Sequence, residues 1–186
     1  MQPLRLEMAL PNLENLPDYP LPTGYHLRLY NPGDELLWAQ IEHAVGDFDS
    51  IEKALSEYQR SFSAGVEELC KRQLFLFTDS DEVIGTTTAW MTERYEPGVH
   101  GLIHWVAIKP EYQANKLGRP LVSAALKLMR TWHTRAFLCT QTHRHRALRV
   151  YLDLGFVPYI REDTDIAAWR TTAASIAHPS LKEYVD

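Results

Sequence analysis

The chain has 186 residues, of which 45% are hydrophobic and 23% charged, a composition typical of a soluble globular protein with a sizeable core. A formal net charge of −5 argues against nucleic acid or an anionic membrane as a partner. No apolar run approaches the ~20 residues that span a bilayer, the N-terminus does not resemble a signal peptide, and two cysteines make no disulfide framework, so we expect a cytoplasmic protein.

The N-terminal 23 residues contain five prolines and little periodicity. They predict an extended arm laid over the domain, with residues 24–186 forming a single domain. A half-buried strand is expected at residues 25–30 from its alternating side chains. Two helices should follow, one capped by Asp34 and running to about residue 45, and one capped by Ser50 and covering residues 51–70.

Further along the chain, short apolar runs predict strands at residues 74–77, 83–90, 101–108, 137–140 and 156–160. Gly85 lies inside the second of these and indicates a bulge or a close backbone approach. A helix is expected from near Gly118, and another over residues 145–154 that Gly155 ends in a left-handed cap.

The alanine-rich segment 163–176 keeps apolar residues in helical phase and predicts a C-terminal helix capped by Asp163 or Thr164. Three roles are open for this helix. It closes a cleft, packs on the sheet, or meets a second subunit in a homodimer.

The segment from His104 to Leu121 combines a strand, a tight loop and a helix. Pro110 stops the apolar strand, and the helix begins where apolar residues recur at three- and four-residue steps. A loop that enters a helix N-terminus presents unpaired backbone N–H groups and the positive end of the helix dipole. This stretch therefore predicts a phosphate or pyrophosphate site.

Two motifs resemble the GNAT superfamily of acetyltransferases, and the likeness covers roughly residues 24–160. In I-x-P-x-Y-Q-x-x-x-L-G-R, Gln113 and Gly118 match the first and last positions of the family's acyl-CoA loop, whereas Lys116 stands at its first glycine. Downstream, RALRVYLDLGF resembles the family's A-x-x-x-Y-x-x-x-G-F segment through Ala147, Tyr151, Gly155 and Phe156.

The resemblance implies an α/β (α+β) fold: a mixed, mostly antiparallel twisted sheet with flanking helices and a V-shaped splay at the acyl-CoA site. The C-terminal helix would be an addition to that fold. It also implies an acetyl-CoA-dependent N-acetyltransferase that moves the acetyl group directly to an amine of a small molecule or peptide. The alternative is a non-catalytic acyl-CoA-binding sensor or scaffold.

By the same resemblance, backbone groups of the loop bind the pyrophosphate, and the strand end pairs with the pantetheine arm. Lys116 costs roughly 1 kcal/mol if its backbone must be left-handed. The alternatives are an ordinary strand–helix connection and, around Arg144, a solvated basic turn. The expected cofactor-binding residues are Val106, Ile108, Gln113, Ala114, Asn115, Lys116, Leu117, Gly118, Arg119, Arg144 and Ala147.

Two side chains are expected to do the chemistry. His104 lies four residues before Ile108, on the same strand face if the period of two is regular, and resembles a catalytic base of arylalkylamine acetyltransferases. Tyr151 matches the family's tyrosine that protonates the leaving thiolate. The alternatives are a core histidine and a core aromatic, with His100 and Glu93 as weaker bases.

The acceptor is not specified by any motif, although residues 47–49 lie where the family shapes the acceptor side of the cleft. A solvated loop is the alternative there. His143 and His145 lack further ligands at metal-binding spacing, so no metal site is expected.

Overall fold

The computed structural model describes residues 3–184 and contains one seven-stranded sheet with helices on both faces. The strands are β1 (Arg5–Leu10), β2 (Tyr25–Leu29), β3 (Gln73–Thr78), β4 (Val83–Thr92), β5 (His100–Ile108), β6 (Ala136–Gln141) and β7 (Val157–Pro158). The α-helices are α1 (Glu35–Ala44), α2 (Ile51–Ser61), α3 (Val66–Arg72), α4 (Gly118–Met129), α5 (His145–Asp153) and α6 (Asp163–Ile176). Two 3-10 helices cover Pro110–Asn115 and Pro179–Tyr184.

The strand order is β2-β3-β4-β5-β6-β1-β7, and every pair is antiparallel except β5 with β6. Helices α4, α5 and α6 contribute to the core on one face, and α1 and α2 contribute to an aromatic-rich core on the other. The predicted mixed, mostly antiparallel sheet is therefore confirmed. Within residues 3–184, no helix has both the length and the apolarity needed to cross a bilayer.

The prediction that the N-terminal 23 residues form an arm laid over the domain is wrong for residues 5–10, which form β1. Residues 5–10 lie inside the sheet, between β6 and β7. Leu6, Met8 and Leu10 alternate into the core and are at most 6% exposed, so this is a half-buried strand. Its partner β6 lies more than a hundred residues away, and local sequence carried no sign of that pairing. Residues 1 and 2 of the predicted arm lie outside the described part of the chain.

The helical region between β2 and β3 also differs in detail from the prediction. The expected helix over residues 51–70 is two helices, α2 and α3, because Gly65 adopts a left-handed φ of 95° between them. Ser50 caps α2 as predicted, accepting a hydrogen bond from the Lys53 N–H. Asp34 precedes α1 but does not cap it, since its carboxylate accepts from the Asn31 N–H and pairs with Arg28.

The C-terminal helix α6 is confirmed, and it packs on the sheet, where Trp169 and Ile176 are fully buried beside β1 and α5. Its cap is Glu162 rather than Asp163 or Thr164. Glu162 and Asp165 form a reciprocal capping box, in which each side chain accepts from the other's backbone N–H.

Strands β5 and β6 separate soon after they meet. They pair only at Gly101 with Ala136 and at Leu102 with Phe137, although β5 continues to Ile108 and β6 to Gln141. This is the predicted V-shaped splay. It leaves one edge of β5 without a strand partner beyond Leu102.

If β1 is a core strand, truncating Met8 should unfold the protein more easily. We expect Met8→Ala to lower the free energy of unfolding by about 2–5 kcal/mol in urea, because Met8 is fully buried. Leu4→Ala is the matched control, since Leu4 is 49% exposed just before the strand, and its effect should stay within about 0.5 kcal/mol. Equal small effects would show that residues 5–10 do not contribute to the core.

Candidate active site

A cavity of about 310 Å³ opens where β5 and β6 separate, and both predicted catalytic side chains line it. The β5 wall supplies His104 and Val106, and Tyr151 reaches it from α5. Arg144 and Asp47 also line it, as do Arg5 and Arg94, two residues that the sequence did not single out. The splay therefore joins residues from both halves of the sheet in one site.

Trp105 shifts the register of β5 in the middle of this wall. Its φ is 49°, and the pairing with β4 moves from Thr88 opposite His104 to Thr86 opposite Ala107, so β5 carries an extra residue there. The period of two is broken as a result. The prediction that His104 and Ile108 share a face is wrong: His104 contacts Phe62 at the end of α2, whereas Ile108 packs beside α4.

A left-handed backbone at a tryptophan costs about 1–3 kcal/mol, and packing around the side chain offsets that cost. The Trp105 ring meets Trp38 edge-on at 5.2 Å and Phe48 at 5.7 Å. Its indole N–H donates to the Ser61 hydroxyl at 3.2 Å. The bulge is thus held by the aromatic core of α1 and α2.

His104 is neutral at pH 7. Burial lowers the pKa of its imidazole to about 4, and the nearby Glu57 carboxylate only partly opposes this. A neutral imidazole has a free nitrogen that can accept a proton, but its basicity is below that of an ordinary histidine. The alternatives His100 and Glu93 are not among the described residues that line the cavity; His100 instead contacts the Pro97 carbonyl at 3.1 Å.

Tyr151 lies on α5, one turn after Ala147, and is 7% exposed. Burial raises the pKa of its phenol to about 12, while the Arg144 guanidinium works in the opposite direction. The hydroxyl is therefore protonated at neutral pH. Gly155 ends α5 with a φ of 91°, as predicted.

The loop between β5 and α4 has the predicted strand–loop–helix form. No side chain caps α4, so the first N–H groups of that helix keep the character of an anion site. Lys116 adopts φ 59° and ψ 25°, the left-handed conformation that favours glycine, and its side chain is exposed. The loop backbone thus follows the course expected of the glycine-containing motif despite the lysine.

The other predicted cofactor residues differ in which of their groups are available to a ligand. Leu117 and Ile108 are packed with Leu76 beneath the loop, so only their backbones are available. Some polar side chains already have partners within the protein: Gln113 donates to the Ile108 carbonyl at 2.9 Å, Asn115 to the Tyr25 hydroxyl at 2.9 Å, Arg119 pairs with Asp153, and Arg144 donates to Asp47 at 2.6 Å. Ala114 is exposed and Ala147 is half-buried.

The 47–49 segment contributes unequally to the site. Asp47 lines the cavity and is paired with Arg144 across it. Phe48 packs against Trp38 and Trp105, and Asp49 is exposed and pairs with Lys53. Among residues 3–184, no group of three or more His, Cys, Asp or Glu side chains could hold a metal ion.

Glu42 is a buried carboxyl that sequence reasoning missed. It is 1% exposed on α1, and its Oε1 has no hydrogen-bond partner within the described chain. Burial and then the Asp47 carboxylate raise its pKa to about 8, with Arg144 opposing them. The available signal was helical spacing, since Glu42 follows the core residue Trp38 by four positions.

The seven-stranded sheet and its splayed strands are those of the acetyltransferase (GNAT) class of folds. A model of the acetyltransferase (GNAT) family matches residues 35–156, and the chain belongs to that family. Comparison with curated proteins found no similar sequence.

Solved structures support the same fold. A GCN5-related N-acetyltransferase from Sphaerobacter thermophilus is 23% identical with a TM-score of 0.66, over 85% of this chain and 50% of that one. The aminoglycoside 6'-N-acetyltransferase AAC(6')-Ih from Acinetobacter baumannii is 16% identical with a TM-score of 0.56, over 75% and 99%. AAC(6')-Iy in complex with CoA is 14% identical with a TM-score of 0.57, over 78% and 99%. The chain spans about half the length of the Sphaerobacter protein and of three further matches.

Glu42 should make stability depend on pH. Because its pKa is raised to about 8 in the native state, the native protein binds more protons than the unfolded chain between about pH 4.5 and 8. Glu42 by itself should therefore lower the free energy of unfolding by at most about 5 kcal/mol as the pH rises through that window. The net fall should be seen between about pH 6.5 and 8, because the lowered pKa of His104 has the opposite effect below that range.

The Glu42→Gln variant should lose this dependence and exceed the parent in stability at pH 8.5, measured by urea unfolding at several pH values. Glu67→Gln is the matched control, since Glu67 is exposed on α3. Its pH profile should match the parent's. If the free energy of unfolding of Glu42→Gln falls with pH as much as that of the parent, the pH dependence belongs to other groups.

Proposed function

We propose that this enzyme transfers an acetyl group from acetyl-CoA directly to an amine of a small molecule or peptide. The observation that carries this proposal is that His104 and Tyr151 line one cavity, at the place where β5 and β6 separate. A base and an acid for the two proton movements of the reaction are thus available in one enclosed space.

The donor would be bound by backbone groups. The pyrophosphate would meet the N–H groups of the 113–119 loop and the start of α4, where helix dipole and unpaired donors favour an anion. Beyond Leu102, the edge of β5 that faces β6 has no strand partner, so its amides could pair with those of the pantetheine arm. Val106 lines the cavity on that edge.

In the transfer itself, the amine nitrogen attacks the thioester carbonyl, a C–N bond forms, and the C–S bond breaks as coenzyme A leaves. The amine must first lose a proton, because alkylamines have pKa values near ~10. His104 would accept that proton, directly or through water, from its position on the acceptor side of β5. Its lowered pKa keeps the ring neutral but makes it a weaker base than an ordinary histidine, so it would pass the proton on to water rather than retain it.

Tyr151 would then donate its proton to the departing sulfur. Its raised pKa keeps the hydroxyl protonated at neutral pH, so a proton is available as the C–S bond breaks. A non-catalytic acyl-CoA sensor is the alternative. It explains the acyl-CoA loop, but it gives no reason for an acid and a base to line the same cavity, and we do not favour it.

Lys116 supplies a test of donor binding that leaves the core untouched. Acetyl-CoA at 100 times its dissociation constant should stabilise the parent by about 2.7 kcal/mol, measured as a rise in melting temperature. Lys116→Glu places a negative charge in the loop and should weaken binding about tenfold or more. At the same ligand concentration that removes about 1.4 kcal/mol of the stabilisation.

The matched control is Lys71→Glu. Lys71 is about half exposed on α3. Its neighbour Arg72 places its guanidinium over the Trp132 ring, beyond the C-terminal end of α4, so this part of α3 is at the opposite end of α4 from the loop. Because Lys71 is far from the 113–119 loop, Lys71→Glu should show the same rise in melting temperature with acetyl-CoA as the parent. If acetyl-CoA raises the melting temperature of Lys116→Glu as much as that of the parent, the pyrophosphate does not bind at this loop.

Tyr151→Phe tests the chemistry. The parent should release free thiol from acetyl-CoA with at least one member of an amine panel, and the variant should do so about 10²–10⁴ times more slowly. The ring is kept, so the acetyl-CoA thermal shift should survive. Tyr184→Phe changes a tyrosine in the C-terminal 3-10 helix and should react like the parent. Equal rates in parent and Tyr151→Phe would refute the acid role, and no thiol release with any amine would refute the proposed function.

A further inference from the structure

One side of the cavity is positively charged, although the chain as a whole is acidic. Arg5 on β1 and Arg94 just after β4 line the cavity, and their side chains are 46% and 51% exposed. Both belong to parts of the chain outside the two sequence motifs. Neither contacts the 113–119 loop.

Glu7 holds these two guanidiniums together. Its carboxylate is only 12% exposed, and one oxygen lies 2.9 Å from an Arg5 nitrogen and 3.2 Å from an Arg94 nitrogen. Arg161 approaches the other oxygen at 3.4 Å but does not line the cavity. Within residues 3–184, Glu7 is the one carboxylate that pairs with Arg5, Arg94 or Arg161, so three guanidiniums share a single negative charge.

Arg144, the third lining cation, is already neutralised. It donates to Asp47 at 2.6 Å, and the two side chains are about two-thirds or more buried. An anionic ligand in this cavity would therefore find its uncompensated partner at Arg5 and Arg94. Each guanidinium has five N–H donors in a planar fork, and Glu7 uses only part of them.

These arginines lie on the acceptor side of the sheet rather than with the donor loop. On β1, Leu6, Met8 and Leu10 face the core formed with α4, α5 and α6, so Arg5 and Glu7 face the other way. His104 also faces that way, towards α2. The loop and the start of α4 belong to the opposite face, where Leu117 and Leu121 are buried.

We propose that the acceptor is an amine that also carries a carboxylate, an amino acid or ω-amino acid, with the carboxylate bound by Arg5 and Arg94 and the amine near His104. The excess positive charge of the arginine cluster matches an anion, and the planar forks of Arg5 and Arg94 match a carboxylate. This inference rests on the proposed acetyl transfer and adds the class of acceptor.

The test compares matched acceptors by thiol release from acetyl-CoA. The panel contains amino acids and ω-amino acids of increasing chain length, each with its carboxamide. The amide makes an α-amine less basic and so gives more of the neutral nucleophile, so a preference for the acid must come from binding. We expect kcat/KM to favour the acids by about 10-fold or more, the size of a lost charge-assisted hydrogen bond.

Arg5→Gln and Arg94→Gln should each raise KM for the acid about 10- to 100-fold. They should leave the KM for acetyl-CoA and the rate with the amide nearly unchanged. Arg161→Gln is the matched control, because it removes a cation from Glu7 without touching the cavity, and it should behave like the parent. A raised KM for acetyl-CoA in Arg5→Gln or Arg94→Gln would assign these residues to the donor and overturn the proposal.

The outcomes separate this inference from the proposed function. Thiol release with amides at the same efficiency as with acids would overturn the acceptor class and leave acetyl transfer standing. If no amine releases thiol, the proposed function fails, and the site is then tested by melting temperature with N-acetylated acids and their amides in the presence of CoA. If the N-acetylated acids raise the melting temperature of the parent but not that of Arg5→Gln, the anion site is supported. If they do not raise the melting temperature of the parent, the anion site is overturned.

Discussion

The short pairing between β5 and β6 is the constraint on which the rest of the site depends. The two strands are joined at Gly101, whose N–H donates to the Arg135 carbonyl at 3.1 Å. A Cβ at this position would lie 2.2 Å from the Met129 sulfur and 3.0 Å from the Arg135 carbonyl oxygen, so any larger residue would force the buried Met129 side chain to move. Because they separate after Leu102, backbone groups that a regular sheet would satisfy remain available to a ligand. The cavity is thus a consequence of strand geometry.

The bulge at Trp105 and the pairing of Arg144 with Asp47 then decide what lies on each side of that opening. The bulge allows His104 to face α2 while Ile108 packs beneath the 113–119 loop, so one strand contributes side chains to both sides of the opening. The ion pair connects the turn after α1 to the start of α5. Glu42 lies under it, and the protonated form favoured by burial avoids an unpaired buried charge.

Sequence reasoning succeeded where the relevant information was local. The strand–loop–helix around Gly118 and the helix ended by Gly155 depend on apolar period and on residues with special backbone freedom, and both are found as expected. It failed where distant segments meet or where a period changes phase. Strand β1 could not be predicted from its own residues, because its pairing partner β6 is distant in sequence. One extra residue at Trp105 reverses the sheet faces that strict alternation assigns to the residues after it. Arg5 and Arg94 come together only through the completed sheet.

The position of β1 has a consequence for how the molecule is assembled. Residues 5–10 are synthesised well before their partners on both sides, β6 and β7, which lie more than a hundred residues later in the chain. Such separation in sequence makes pairing slow, since a loop of more than a hundred residues must close first. Until then, Leu6 and Met8 form an exposed apolar segment that could pair with another chain. The half of the sheet that carries Arg5 therefore completes late in folding, after the β3–β4–β5 meander has local partners.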